Sequence, residues 1–193
     1  MENYQNKIWL WIPPILWLTF IYGTLGLARP VSEYLMARTP FSILVNSGLI
    51  AGLVIVLAVA FRRLEGRRPG NITVGVIVLM VYGLFLRWLS IPAERIHLAQ
   101  YGILAGLIWR AEKDQWGGWR AYLLAWVLAS LAGWGDEIIQ HFIPNRYFQW
   151  SDVGLNVVSA GLGLFLVWSF RRGRMENPKN LQQYSQLTSD VLF

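Results

Sequence analysis

Two adjacent carboxylates, Asp136 and Glu137, stand near the end of a hydrophobic run that is long enough to cross a membrane. Gln140 follows Asp136 by four residues, so the two share a helix face, and Glu137 with His141 forms a stripe beside it. A charged side chain at mid-bilayer costs roughly 2.5–3.5 kcal/mol, and such residues usually face a protein interior or wet cavity and carry function. The pair is therefore a candidate for ligand binding or acid/base chemistry.

Polar stripes also occur before and after this pair. Glu94, His97 and Tyr101 are three and four residues apart, so they share one face of a helix. Asp152 and Asn156, four residues apart, form another such stripe. If the helices meet, these side chains and the carboxylate pair would line a common polar pocket.

An arginine lies in the turn between the second and third stripes. Arg146 follows Pro144 in a turn flanked by aromatic residues. Its guanidinium can fold back over the carboxylates as a bidentate partner, or it can bind an anionic ligand. The ligand-binding candidates from all three stripes and this turn are Glu94, His97, Asp136, Glu137, Gln140, Arg146, Asp152 and Asn156.

Other interpretations of these residues remain open. His97, Asp136 and Glu137 are the candidates for a catalytic acid/base role. In a purely structural role, a carboxylate would pair with Arg87, Arg95 or the turn arginine to hold helices together. A metal site needs three or four converging ligands, and no paired-histidine spacing supports one. We therefore predict neither a metal nor a cofactor.

Composition places these residues in a membrane protein. Of 193 residues, 55% are hydrophobic and only 15% are charged, which lies outside the usual balance of soluble proteins. The absence of cysteine excludes disulfides, thiolate metal sites and cysteine nucleophiles. The net charge is +6, but the basic residues flank apolar runs, where they orient helices and contact anionic lipid. We therefore expect membrane lipids as partners and no nucleic acid.

Apolar runs predict an all-α, polytopic transmembrane helix bundle of about six spans. The runs cover residues 8–27, 41–61, 72–91, 94–109, 121–143 and 152–170, and the fourth is short. The first could alternatively be a signal peptide, because Lys7 precedes it and Gly26-Leu27-Ala28 resembles a cleavage site. Pro13-Pro14 within it favours a kinked span.

The polar stripes are predicted to lie at similar depths in the membrane. Counted along each span from its predicted cytoplasmic end, at about 1.5 Å per residue, Asp136, Asn156 and His97 lie at depths of about 22, 21 and 18 Å. Lysines and arginines number twelve in one set of alternate connections and five in the other. Because cytoplasmic loops carry the excess of positive residues, both termini are predicted to be cytoplasmic and the polar pocket to open outward.

The ordered motifs resemble the signature of VanZ-like membrane proteins. The resemblance covers about residues 94–165 and is carried by Glu94-Arg95-Ile96-His97, Tyr101 and Leu104, Asp136-Glu137-Ile138-Ile139-Gln140, Pro144-Asn145-Arg146, Asp152-Val153 and Asn156. It implies a multi-pass prokaryotic envelope protein of a family linked to teicoplanin resistance. It marks as functional positions His97, Asp136, Glu137, Gln140, Arg146, Asp152 and Asn156.

The resemblance and the residues together give an expected organisation and three hypotheses of function. We expect N-terminal spans over 1–91, a VanZ-like membrane domain over 92–170 and a disordered cytoplasmic tail over 171–193. The first hypothesis is a cell-membrane protein that binds a lipid head group, a lipid-linked cell-wall precursor or a glycopeptide, with a link to antibiotic resistance. The second is a membrane-embedded acid/base enzyme acting on a lipid or isoprenoid-linked substrate. The third is a proton- or ion-coupled transporter.

Overall fold

Helices account for all regular secondary structure in the part of the chain that the structure describes, residues 8–61, 69–89, 92–144 and 146–170. In this computed structural model, a short 3-10 helix, Trp9–Trp11, precedes six α-helices: α1 (Ile12–Arg38), α2 (Phe41–Phe61), α3 (Pro69–Trp88), α4 (Pro92–Trp116), α5 (Gly118–His141) and α6 (Trp150–Ser169). The predicted all-α bundle is confirmed. The predicted tail at 171–193 and the arginine-rich connection at 62–68 lie outside the described residues.

Only some of the described helices have the length and hydropathy of a membrane span. Within the described residues, Trp9–Leu27, Gly118–His141 and Trp150–Ser169 are long and apolar enough to cross a membrane. A pair of segments bent by 108°, Pro30–Arg38 and Ile43–Val56, makes a fourth span if the two are taken as one. Ile72–Trp88 is a shorter apolar helix. Each of the six predicted runs therefore overlaps a helix, and the described residues contain three candidate spans, or four if the bent pair is one span.

Helix α4 is longer than its predicted run of 94–109 and occupies the middle of the bundle. Pro92 stands at its first position, where the missing N–H costs no helical hydrogen bond. Four charged residues in its last turns ended the apolar run in the sequence without ending the helix. Its 25 residues extend about 36 Å. It packs against α1, α5 and α6 through a buried stripe of Leu98, Tyr101, Leu104, Ala105 and Ile108.

Small residues let α4 approach α6 and α5 closely. A Cβ atom on Gly163 of α6 would overlap the backbone of Gly102 of α4, so only glycine fits at this crossing. Ala129 of α5 and Ala160 of α6 are completely buried in the same core. Close backbone approach through small residues is the usual means of helix packing in membranes. The crossing fixes the relative positions of the helices that carry the polar stripes.

Polar side chains of α1 attach it to this central group. The indole Nε1 of Trp17 donates to the backbone oxygen of Gln100 in α4 at 3.0 Å. The hydroxyl of Tyr22 donates to the backbone oxygen of Ala132 in α5 at 2.7 Å. These two bonds hold α1 beside the segments of α4 and α5 that carry His97 and Asp136.

Candidate functional site

Asp136 lies at the centre of a buried group of polar side chains. Its carboxylate has 0% exposure. The Tyr101 hydroxyl donates to Asp136 Oδ2 at 2.8 Å, and His97 Nδ1 lies 3.4 Å from the same oxygen. Gln140 Nε2 donates to Asp136 Oδ1 at 3.1 Å. Both oxygens therefore have a donor, and α4 is joined to α5 through this carboxylate.

Glu137 is equally buried and joins α5 to the beginning of α6. Gln140 Nε2 also donates to Glu137 Oε1 at 3.1 Å. Glu137 Oε2 accepts from the backbone N–H of Gln149 at 3.1 Å, and Gln149 is the N-cap residue of α6. A carboxylate that binds the N-cap N–H does what the glutamate of a capping box does, here from another helix.

Helical spacing explains how so few residues satisfy two carboxylates. Gln140 is one turn after both, so a single amide reaches an oxygen of each. His97 and Tyr101 are also one turn apart, and their rings stack with centroids 6.1 Å apart. We call the side chains of His97, Tyr101, Asp136, Glu137 and Gln140 the carboxylate network.

Asn156 of α6 lies beside the carboxylate network without bonding to it. Its Nδ2 donates to the backbone oxygen of Gly133 at 3.2 Å, one turn before Asp136. A Cβ on Gly133 would lie 2.6 Å from the Asn156 Cβ, so the glycine makes room for the amide. Asn156 Oδ1 is buried and has no hydrogen-bond partner among the described residues.

Arg146 and Asp152 lie between this network and the surface. Each is close enough to His97 and Glu137 to interact electrostatically with both. Asp152 is in the first turn of α6, where the helix dipole favours an acidic side chain. It accepts a 3.3 Å hydrogen bond from Ser151. Arg146 Nε is buried without a hydrogen-bond partner in the described part of the chain.

Arg146 also lines a polar cavity of about 340 Å³. We call it the loop cavity, because it lies between the loop that joins α5 to α6 and the second half of α1. Its lining residues are Gly26, Pro30, Glu33, Ile143, Pro144, Arg146 and Tyr147. The arginine therefore lies between the carboxylate network on one side and an open polar volume on the other.

The predicted site residues thus differ in whether they contact one another directly. It brings His97, Asp136, Glu137 and Gln140 into direct contact. It sets Arg146, Asp152 and Asn156 around that contact, while the side chain of Glu94 lies outside the described residues.

Arg87 and Arg95, two of the three arginines considered for a structural ion pair with the carboxylates, make no such pair among the described residues. Arg95 donates to the backbone oxygen of Leu89 at 2.7 Å and to the side chain of Asn46, which ties α4 to α2. Arg87 is exposed in the last turn of α3. The carboxylates are satisfied by uncharged donors in their place.

Sequence reasoning missed partners that the fold supplies. The sequence placed Tyr101 on the stripe of His97 but did not count it among the candidate ligand-binding residues, and its hydroxyl makes the shortest hydrogen bond to Asp136. Glu33 of α1 lines the loop cavity from a helix distant in sequence, and nothing in its spacing could have identified it. Among the described residues, no three His, Asp or Glu side chains are grouped so that they could hold a metal ion.

Two other cavities are apolar. One, of about 600 Å³, lies between α3, α5 and α6 and is lined by aromatic residues that include Trp119, Trp126 and Trp168. The second, of about 420 Å³, lies between α2, α3, α4 and α6. Neither includes a residue of the carboxylate network. The loop cavity is thus the polar member of the three cavities described.

Apolar helices of membrane-crossing length, packed around buried carboxylates, define a helical membrane protein with a polar centre. The family model VanZ/LLP1 matches residues 10–171, which include all six α-helices. The chain belongs to the VanZ/LLP1 family. The match begins well before Glu94, where the sequence motifs begin, so the family assignment also covers the N-terminal helices. No curated protein and no solved structure matches the chain.

Proposed function

We propose that this protein binds the polar head group of a membrane lipid, or of a lipid-linked cell-wall component, in the loop cavity. The observation that carries the proposal is the state of Arg146. Its Nε is buried without a partner among the described residues, and its side chain lines a polar cavity. A buried donor without a partner is costly, about 1–3 kcal/mol, so an acceptor supplied by a ligand would remove a real penalty.

The carboxylates support this site without contacting the ligand. Each of their four oxygens already accepts a hydrogen bond from the protein. A ligand would have to displace those donors and leave them unsatisfied in a buried place. The carboxylate network is therefore better suited to hold the ends of α4, α5 and α6 rigid around the loop that carries Arg146.

Guanidinium chemistry indicates the kind of group that binds. The planar fork of an arginine matches the oxygens of phosphate and carboxylate groups and binds them bidentately. With both termini in the cytoplasm, as the charge distribution predicts, the loop cavity opens to the outer leaflet. There it would meet phospholipid head groups and lipid-linked envelope precursors. The family's association with teicoplanin resistance adds glycopeptides to the ligands worth testing.

The binding proposal is tested by the lipid that the purified protein retains. Wild type, Arg146→Ala and the matched control Arg87→Ala are purified in mild detergent, and retained lipids are identified by native mass spectrometry. Arg87 lies at the exposed end of α3 and lines none of the three cavities described. We expect wild type and Arg87→Ala to retain the same lipid, and Arg146→Ala to lose it by about 10- to 100-fold, since charged hydrogen bonds contribute 1.5–3 kcal/mol. Equal retention by a folded Arg146→Ala variant would refute the proposal.

The alternative is a membrane-embedded acid/base enzyme acting on a lipid or isoprenoid-linked substrate. It is favoured by one observation, the 3.4 Å approach of His97 Nδ1 to Asp136 Oδ2, because a carboxylate that orients an imidazole is a common acid/base arrangement. The enzyme hypothesis requires turnover. Conversion of a phospholipid or isoprenoid phosphate by wild type but not by a folded His97→Gln variant would establish it. The same lipids recovered unchanged would leave the binding function.

A further inference from the structure

The walls of the loop cavity carry charges of opposite sign. Arg146 contributes a guanidinium from the loop between α5 and α6, and Glu33 contributes a carboxylate from α1. Tyr147, 76% exposed, adds an aromatic ring to the same lining. This arrangement differs from that of a site built only for anions, where basic side chains surround the ligand.

From this juxtaposition we infer that the ligand is a zwitterion, with a phosphate beside a primary ammonium group. The inference rests on the proposed function, since it concerns the same cavity. Arg146 would bind the phosphate, as proposed above. Glu33 would accept hydrogen bonds from the ammonium, and the face of Tyr147 would add a cation–π contact.

The volume of the cavity restricts the ligand further. About 340 Å³ is at the lower end of the range of small-molecule sites, roughly 300–1,000 Å³. An aminoalkyl phosphate head group fits such a space, whereas a whole glycopeptide does not. The neighbouring surface suits a lipid, because apolar side chains such as Leu27 and Val31 are exposed on α1 near Glu33. An aminoethyl phosphate head group therefore meets the charge and size of the cavity together.

The test compares lipids that share a phosphate and differ in the ammonium group. Purified wild-type protein is titrated with short-chain phosphatidylethanolamine, with its N-acetylated form and with phosphatidylglycerol, and native mass spectrometry gives the affinities. The N-acetylated lipid retains the phosphate and loses the positive charge. We expect phosphatidylethanolamine to bind about tenfold more tightly than the other two, the effect of one charge-assisted contact in a partly open site.

Glu33→Gln is the decisive variant, because it retains the shape of the side chain and removes its charge. We expect it to bind all three lipids alike, at the wild-type affinity for phosphatidylglycerol. Asp114→Asn is the matched control, since Asp114 is exposed on α4 and does not line this cavity. It should keep the wild-type preference. Water-soluble phosphoethanolamine, titrated alone, distinguishes a free ligand from a lipid head group, and its binding by wild type but not by Glu33→Gln supports the zwitterion as a free ligand.

The outcomes separate this inference from the proposed function. If wild type binds the three lipids equally, or if Glu33→Gln keeps the preference, the zwitterion is wrong and the anion-binding function stands. If wild type binds none of the lipids and no phosphoethanolamine, both proposals fail.

Discussion

The two buried carboxylates and Arg146 are neighbours with opposite hydrogen-bonding states, while His97 Nδ1, 3.4 Å from Asp136 Oδ2, is buried without a hydrogen-bond partner among the described residues. In the network, two fully buried carboxylates have a donor at every oxygen. In the cavity lining, Arg146 has a buried Nε with no partner among the described residues. Satisfied buried groups stabilise a fold, whereas unsatisfied ones call for an explanation, of which a ligand is one. The comparison supports our proposal that the two carboxylates stabilise the fold and that Arg146 binds a ligand.

Removal of the central carboxylate should have the largest effect. Asp136→Ala would leave the Tyr101 hydroxyl and one amide hydrogen of Gln140 without their acceptor in a buried place. Since hydrogen bonds within membrane bundles contribute about 0.6–1.7 kcal/mol each and unsatisfied groups cost more, we expect a loss of about 2–4 kcal/mol in unfolding free energy. Thermal unfolding in detergent measures it. Asp114→Asn, an exposed change, should stay within about 0.5 kcal/mol. Asp136→Ala unfolding at the wild-type temperature would contradict a structural network.

The helix crossing that positions the network gives the next largest effect. Gly163→Ala places a methyl group in the backbone of Gly102, so α4 and α6 must separate, at a cost of about 1–3 kcal/mol. Gly154→Ala on the same helix adds its methyl group in open space and should stabilise slightly, because alanine favours the helix. Equal unfolding temperatures for the two variants would show that the crossing does not fix the bundle.

Sequence patterns predicted the bundle and much of this network, because both depend on local spacing. Apolar runs located all six helices, and the three- and four-residue spacing placed His97, Asp136, Glu137 and Gln140 on faces that meet. The end of α4 was missed, because charged residues continue the helix beyond the apolar run. Hydropathy reports burial in lipid, not helix length.

The state of each polar group could not be predicted, because it depends on contacts between distant segments. The backbone N–H of Gln149 satisfies Glu137 only because the loop returns beside α5. Glu33 and Arg146 line the same cavity although more than a hundred residues separate them in the sequence. The sequence therefore located most of the carboxylate network, while the fold decided which polar side chains line a common cavity.

Glu137→Gln tests whether the carboxylate network and the loop cavity have separate roles. Its effect on stability should be smaller than that of Asp136→Ala. The amide oxygen can still accept from Gln149, but the amide NH2 would face the NH2 of Gln140, so we expect a loss of about 1–2 kcal/mol in unfolding free energy for the lost hydrogen bond. Because Glu137 contacts protein, the variant should retain the same lipid as wild type in native mass spectrometry. Normal unfolding combined with loss of the lipid would show that the carboxylate contacts the ligand, and that the carboxylate network is part of the binding site.

Arg146→Ala should have the smallest effect on stability and the largest on binding. Without ligand, its unfolding free energy should lie within about 0.5 kcal/mol of wild type, since relief of the buried donor that has no partner is offset by the lost packing of the arginine side chain. With saturating lipid, wild type should become more stable by mass action, by about 2.7 kcal/mol at a hundredfold excess over Kd, and the variant should not. Unfolding curves with and without added lipid measure both quantities. A variant destabilised without lipid as strongly as Asp136→Ala would place Arg146 within the structural network, because a residue that holds the fold must do so whether or not a ligand is present.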